Sequence, residues 1–375
     1  MSKKRRILSL IFLYPVSVIY GWVMAIRNFM FDKGFLKQHS FPIPVIVVGN
    51  LTVGGAGKTP HTEYIIEKLR SKYHIGMLSR GYKRRTKGFV LAGTNSRPED
   101  IGDEPYQMYR KFRHHDVMVA VCEDRVKGVE EMLKIDPKLS LIILDDAFQH
   151  RYVKPTISVV LTEHNRPAYN DFLLPFGRLR EPFKALERAD IVIVTKCPDE
   201  MQPMQYRIFK QHLDLYPYQK LTFTRYRYLT PVPLFPENAE IGGLDTLNYL
   251  HPGQSLLAIT GVANPRPFIR YLRRFKAKVK TIRFSDHHNF SQGDMQEIAD
   301  AFKALKSKDK YLITTEKDAV RLANNPYFPP ALRSKSYYIP IAVEEMPAGE
   351  DSLENIINVM LRNNNILNKQ NGHKK

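Results

Sequence analysis

The sequence predicts an α/β fold: a mostly parallel sheet flanked by helices, a smaller α/β section in the C-terminal third joined by an extended ribbon, and an apolar helix at the N-terminus. Three observations carry this reading. Apolar runs of strand length alternate with helical patterns along most of the 375 residues. A glycine-rich turn joins the first such strand to the first helix. Ahead of both lies a run of twenty uncharged residues, Ile7 to Ile26. A hydrophobic share of 43% is ordinary for a chain with real cores, and the length suits about two domains.

The first element, over residues 1–32, reads as a membrane-associated helix. Lys3-Lys-Arg-Arg6 precedes the apolar run, whose length would cross a bilayer. No small-residue cleavage site follows Ile26, where Arg27-Asn28-Phe29 stands, which argues against a secretory signal. A spanning helix with the following nucleotide-type turn in the cytosol would put Lys3 to Arg6 outside, against the positive-inside tendency. Arg27, Lys33 and Lys37 add basic residues on the other flank, Tyr20 and Trp22 suit the headgroup zone, and Pro15 would kink a straight span. The expectation is a helix lying in the cytoplasmic leaflet, with a span or a buried core helix as alternatives.

The next section, 33–219, opens with Val45-Ile-Val-Val-Gly-Asn-Leu-Thr52-Val53-Gly54-Gly55-Ala56-Gly57-Lys58-Thr59-Pro60. A buried strand, a glycine-rich turn and a helix entered through Lys-Thr make a P-loop in its proper context, and the fold class is P-loop NTPase-type. Backbone N–H groups of this turn can wrap phosphate oxygens at a helix N-terminus. Lys58 would reach the β- and γ-phosphates, and the Thr59 hydroxyl would ligate Mg²⁺. Thr52 occupies the position where the usual pattern has its first glycine. Strands are expected at His74–Ser79, Val117–Val121, Leu139–Leu144, Ile157–Leu161 and Ile191–Thr195. Helices are expected at Thr59–Lys72, Glu104–Phe112 and Val126–Leu133.

From Lys220 the texture changes. Leu221 to Leu229 alternates and Pro231, Pro233 and Pro236 follow, so 220–254 reads as an extended ribbon or linker. A second α/β domain is expected over 255–362, with strands Leu256–Thr260, Val279–Phe284, Tyr311–Thr315 and Tyr337–Ile341 and helices Pro267–Phe275 and Gln292–Leu305. The polar tail 363–375 is expected to be disordered.

Several constellations carry chemistry. Leu141 to Leu144 ends in Asp145-Asp146, the acidic strand end that a P-loop enzyme needs for its metal. Arg80 closes the second strand and can meet phosphate oxygens. Asp103 stands at a helix start, where an N-cap role suffices to explain it. Asp286-His287-His288 follows a strand of the second section without a third ligand at metal spacing; it could equally supply a base or a substrate contact. His114-His115 reads as surface. Thr195-Lys-Cys-Pro-Asp199 and Thr315-Glu-Lys-Asp318 resemble the guanine-reading motif of GTPases but miss its spacing, so ATP is the expected nucleotide. Cys122 and Cys197 build no disulfide framework, which fits a reducing compartment.

Taken in order, these segments resemble the tetraacyldisaccharide 4'-kinases of lipid A biosynthesis. The resemblance runs through the apolar N-terminus, Gly49 to Pro60, Ser79-Arg-Gly-Tyr82 and Gly102-Asp-Glu-Pro105. It continues through Asp145-Asp-Ala-Phe-Gln-His150, Leu174-Pro-Phe-Gly-Arg-Leu-Arg-Glu-Pro182, Gly261-Val-Ala-Asn-Pro265, Asp286-His287 and Thr315 to Asp318. It implies transfer of the ATP γ-phosphate to the 4'-hydroxyl of a tetraacylated glucosamine disaccharide 1-phosphate, giving lipid IVA at the cytoplasmic leaflet of a bacterial inner membrane. Thr59 and one or both of Asp145 and Asp146 would organise Mg²⁺. Asp103 and His287 would form the acid–base pair, their domains closing over the substrate about 221–236 as a hinge. Arg80 and Arg178 would grip ATP phosphates or the substrate 1-phosphate.

The net charge of +19 calls for a polyanionic partner: nucleic acid, an anionic membrane or a phosphorylated substrate. No recognition motif or aromatic-interleaved basic platform supports nucleic acid. A P-loop ATPase or GTPase acting as a switch or metallochaperone is the alternative; it leaves the apolar N-terminus unused and predicts hydrolysis independent of lipid.

Overall fold

The structure is a computed structural model and describes residues 3–372 apart from 240–243, 245–246, 287, 308 and 348–350. In chain order the first elements are α1 (Lys3–Asp32), β1 (Val45–Asn50), α2 (Lys58–Leu69), β2 (Ile75–Ser79), β3 (Val90–Leu91), α3 (Pro98–Ile101), α4 (Asp103–Phe112), β4 (Val117–Val121) and α5 (Arg125–Ile135). There follow β5 (Leu141–Asp145), β6 (Ile157–Glu163), β7 (Ile191–Thr195), α6 (Pro203–Leu213), β8 (Lys220–Tyr228), β9 (Val232–Pro233), β10 (Ser255–Thr260), α7 (Arg266–Leu272) and β11 (Lys278–Arg283). The last are α8 (Gln292–Lys303), β12 (Lys310–Thr315), α9 (Glu316–Ala323), β13 (Ser336–Ile339), β14 (Ile341–Glu345) and α10 (Leu353–Gly372).

The chain divides into two compact units, residues 1–226 with 343–375, and residues 227–342. The first is built on a nine-stranded sheet in the order β14-β8-β7-β6-β1-β5-β2-β4-β3. Strands β1, β2 and β4 to β8 pair in parallel, and β3 closes one edge antiparallel. Their near-continuous apolar runs follow from burial on both faces. Val45, Val47, Leu78, Leu144 and Val192 enter one core; Ile46, Val48, Met77, Ile143 and Ile193 enter the other, where α2 packs through Ile65, Ile66 and Leu69. Because β1 lies between β5 and β6, the loop after it emerges at the middle of the strands' C-terminal edge, where open α/β sheets bind ligands.

The second unit holds a five-stranded sheet, β11-β10-β12-β13-β9, parallel except for β9. Its two faces carry separate cores, one with Phe290, Ile298 and Phe302, the other with Phe268, Ile269 and Leu272.

Three expectations change. The ribbon 220–254 begins as a strand of the large sheet, because β8 pairs in parallel with β7 and buries Thr222, Phe223 and Thr224. The expected strand Tyr337–Ile341 splits at Pro340, which lacks an N–H for a ladder: Ser336–Ile339 joins the small sheet and Ile341–Glu345 the large one. The end of the chain belongs to the first unit rather than the second, and the expected disordered tail is helical as far as Gly372. Leu353, Ile357 and Leu361 recur at helical spacing and enter the α2 core, which gives α10 its reason to form.

Helix α1 lies along the first unit. Ser17 Oγ donates to Leu173 O at 2.8 Å, Tyr20 OH to Arg180 O at 2.7 Å and Arg27 Nη2 to Gln149 O at 2.9 Å. A second stripe, Phe12, Val16, Ile19, Val23, Ile26 and Met30, is exposed.

Candidate active site

The P-loop runs from the end of β1 to the start of α2, and Gly57 caps the helix with φ at 92°, a left-handed conformation that suits glycine. The loop is held from outside through its carbonyls. Thr195 Oγ1 donates to Ala56 O at 2.9 Å, Lys196 Nζ to Gly55 O, and Asn50 Nδ2 to Thr52 O at 2.7 Å. His61 Nδ1 lies 2.7 Å from Gly57 O and its Nε2 2.8 Å from Thr224 Oγ1. Gly57 O can only accept, so Nδ1 carries the proton and Nε2 accepts from Thr224. In a planar trans peptide, fixing one carbonyl turns the next N–H to the other side. The bonds to Ala56 O and Gly57 O therefore present the N–H groups of Gly57 and Lys58 for an anion. The N–H of Val53 is already given to Arg178 O at 2.7 Å and that of Ala56 to Gly54 O at 3.0 Å, so these two P-loop positions serve the loop itself.

Lys58 Nζ stands between Asn50 Oδ1, 3.2 Å away, and Asp146 Oδ1, 3.5 Å away. Asp145 ends β5 almost fully buried and accepts from Thr62 Oγ1 at 2.9 Å. Burial, then the charges of Glu104 and Asp146, push its carboxyl up to about 7; Lys58 and the Thr62 bond pull it back. Asp146 has φ of 47° and also meets Arg180 Nη1 at 3.0 Å. Gln149 joins the same edge, donating to Asn50 O at 2.8 Å.

The sequence-predicted residues divide clearly. Lys58, Asp145 and Asp146 come together at this edge, with Thr59 one residue along α2. Asp103 opens α4 behind Gly102, whose φ of 92° turns the chain into the helix, and the neighbouring Glu104 is the strongest electrostatic influence raising Asp145. Arg80 follows β2, exposed, and its charge bears on Arg125 and His150. Arg178 turns to Asp171, at 3.0 Å, while Arg180 reaches Asp146. His287 lies outside the described residues.

Sequence reasoning passed over His61 and Arg125, and quoted Gln149, His150, Arg180 and Glu181 only within longer segments, with no role of their own. Arg125 is buried and held by Cys122 O and Glu123 O at 3.0 and 3.1 Å; burial lowers its pKa to about 10, with Asp146 and Asp145 opposing. It therefore stays a cation beside the carboxylates. Burial, reinforced by Arg125, pushes His150 down to about 4. Glu181 is fully buried and held by Arg188 Nη2 at 2.5 Å. The choice between Arg178 and Arg180 is made by the backbone: Val53 N bonds Arg178 O, Arg180 N bonds Leu51 O at 2.7 Å, and the segment runs antiparallel to the P-loop at Thr52 and Leu179.

The residues fit Mg²⁺. Asp145 and Asp146 bring two carboxylates to the strand end beside Lys58, and Glu104 adds to the negative charge that Asp145 feels, after burial the next cause of its raised pKa. Among the described residues no group of three or more His, Cys, Asp or Glu could hold a metal unaided.

Comparison with known proteins finds one family. The family model described as tetraacyldisaccharide-1-P 4'-kinase (LpxK) matches residues 9–362. A tetraacyldisaccharide 4'-kinase of Bacteroides thetaiotaomicron is 46% identical over 371 residues, covering 96% of this chain and 97% of the relative. One from Porphyromonas gingivalis is 42% identical over 339 residues, covering 89% and 92%. The crystal structure of LpxK from Aquifex aeolicus in complex with ATP superposes with a TM-score of 0.70 at 27% identity, covering 93% of this chain and 98% of that one.

Proposed function

The chain belongs to the tetraacyldisaccharide-1-P 4'-kinase family, and from that premise we propose that it transfers the γ-phosphate of ATP to the 4'-hydroxyl of an acylated glucosamine disaccharide 1-phosphate, giving lipid IVA. The observation that carries the proposal is the facing of Lys58 and the Asp145–Asp146 strand end across a P-loop whose carbonyls are tied back.

Phosphoryl transfer asks for positioning and charge neutralisation more than for covalent help. The N–H groups of Gly57 and Lys58 hold phosphate oxygens, and Lys58 neutralises charge growing on the transferring group. Thr59 with Asp145 and Asp146 would hold Mg²⁺, which would further neutralise the phosphate charge. Arg180 fixes Asp146 from the other side. The sugar oxygen forms its bond to the γ-phosphorus as the bond to the β-phosphate bridging oxygen breaks and ADP leaves. The hydroxyl proton goes to the pair assigned to Asp103 and His287, and Arg80 is assigned to an anionic group of either substrate.

A lipid acceptor gives the N-terminal helix its use. Among the described residues one helix, Ile11–Asp32, is long and apolar enough to cross a membrane. Its Ser17, Tyr20 and Arg27 bonds to the first unit favour a helix lying in the cytoplasmic face of the inner membrane, with the stripe from Phe12 to Met30 turned to lipid.

The test is incubation with γ-labelled ATP, Mg²⁺ and the tetraacyl disaccharide 1-phosphate in detergent micelles. A labelled lipid bearing phosphate at the 4'-position is expected. Hydrolysis at one rate with and without lipid, and no labelled lipid, would overturn the proposal in favour of a switch ATPase.

A further inference from the structure

The second unit carries its positive charge in one place. Residues 227–342 contain 17 lysines and arginines against 10 acidic residues, and eight of the basic ones fall between 266 and 283, a stretch with no acidic residue at all. Without that stretch the unit would be nearly neutral. All eight are exposed. Arg266, Arg270 and Arg273 recur at helical spacing along α7 and its C-cap, opposite the buried Phe268, Ile269 and Leu272. Arg274 and Lys276 lie in the turn that leads into β11.

Strand β11 is the last of its sheet and pairs only with β10 among the described residues. Lys278 and Lys280 point to one face of it. Arg283 points to the other, the face on which Val279 meets the α7 core. The cations thus wrap the open edge of the sheet and continue onto the helix. Lysines on an edge strand guard against unwanted strand pairing, and Lys278 and Lys280 satisfy that need alone. It leaves the arginine row of α7 unexplained. Arg270, Arg273, Lys276, Lys278, Lys280 and Arg283 have no ion pair among the described residues, so the row is no internal salt-bridge lattice.

We propose that the α7–β11 edge is a docking surface for an anionic lipid leaflet, adding a charge-dependent hold to that of the N-terminal helix. This rests on the lipid-kinase reading, under which acceptor and product both sit in a membrane. Clustered basic residues are attracted to anionic headgroups within a Debye length, each contributing about fivefold to binding at ordinary ionic strength. The mixture of arginine and lysine without base-stacking aromatics at the surface suits a leaflet better than a nucleic acid strand. Tyr271 and Phe275 are turned instead to their own stack with Tyr228.

The experiment uses the full chain, sedimented with vesicles of phosphatidylcholine alone or with about a third phosphatidylglycerol, in low and high salt. Wild type should bind the anionic vesicles at least about tenfold more tightly, and lose that preference at high salt. The reversal Arg270→Glu/Arg273→Glu/Lys278→Glu should abolish the preference. The milder Arg270→Gln/Arg273→Gln should reduce it partway. Both variants should keep wild-type binding to neutral vesicles and wild-type transfer in detergent micelles, which shows that they fold and separates this inference from the kinase reading. An anionic preference unchanged in the reversal variant would overturn the proposal. So would a wild type that binds a short duplex or single strand of nucleic acid through these residues while showing no anionic-lipid preference.

Discussion

Lys58 is held by Asn50 and Asp146 before any ligand arrives, so its position costs little when phosphate binds. Arg180 and Arg178 give a sharper residue-level contrast. Arg180→Ala leaves Asp146 with one cation fewer and should lower kcat by about 10–100-fold. Arg178→Ala loses only the bond to Asp171 and should change kcat/KM by less than about threefold, measured in the same micellar assay. His61 makes a pH-dependent prediction. Burial pushes its pKa from 6.5 down to about 4, so between those values the unfolded chain binds more protons than the folded one. The contribution of neutral His61 is present above 6.5 and drains away as pH falls toward 4. The stability gap between wild type and His61→Gln should therefore narrow by about 2 kcal/mol between about pH 7.5 and 5, read from urea unfolding. An unchanged gap would mean that His61 is not buried neutral against Gly57 and Thr224. The P-loop and the acidic strand end were legible in the sequence because their spacing is tied to local geometry. Arg180 and His61 were not, since their partners lie 34 and 163 residues away and only the folded sheet brings them together.

At the scale of elements, the parallel strands were easy to read because burial on both faces makes them uniformly apolar, as in Ile142-Ile-Leu144 and Ile191-Val-Ile-Val194. Helix α10 was harder: nothing local says that Leu353, Ile357 and Leu361 return to the first unit. Ile357→Ala should cost about 2–5 kcal/mol by leaving a cavity against α2, measured by denaturant unfolding at constant pH. A loss below about 0.5 kcal/mol would place α10 outside the core. Helix α1 was legible as membrane-seeking, while its seat along the first unit depended on Ser17 and Tyr20 finding backbone carbonyls more than 150 residues away. Ile19→Asp with Val23→Asp alters only the exposed stripe. It should lower partitioning into neutral vesicles by at least about tenfold and leave transfer in micelles within about threefold of wild type.

Across the whole molecule, two α/β units were visible from the alternation of strands and helices, but their boundary was not. The chain leaves the first unit at Tyr226 and re-enters it at Val343, so β8 and β14 carry the crossings that the sequence presented as a ribbon and as the end of one strand. Proline decides both places, ending alternation after Leu229 and breaking the run at Pro340. The first unit then supplies a tied-back P-loop, a buried carboxylate and the amphipathic helix. The second carries Asp286 after β11 and the basic edge. The central claim is that the chain transfers phosphate from ATP to a lipid hydroxyl through Lys58 and Asp103. The most direct measurement is the transfer rate with both substrates saturating, for wild type beside Lys58→Ala and Asp103→Ala. The account predicts kcat lower by at least about 10²-fold in each variant. Either variant turning over at a rate within a few-fold of wild type would contradict it.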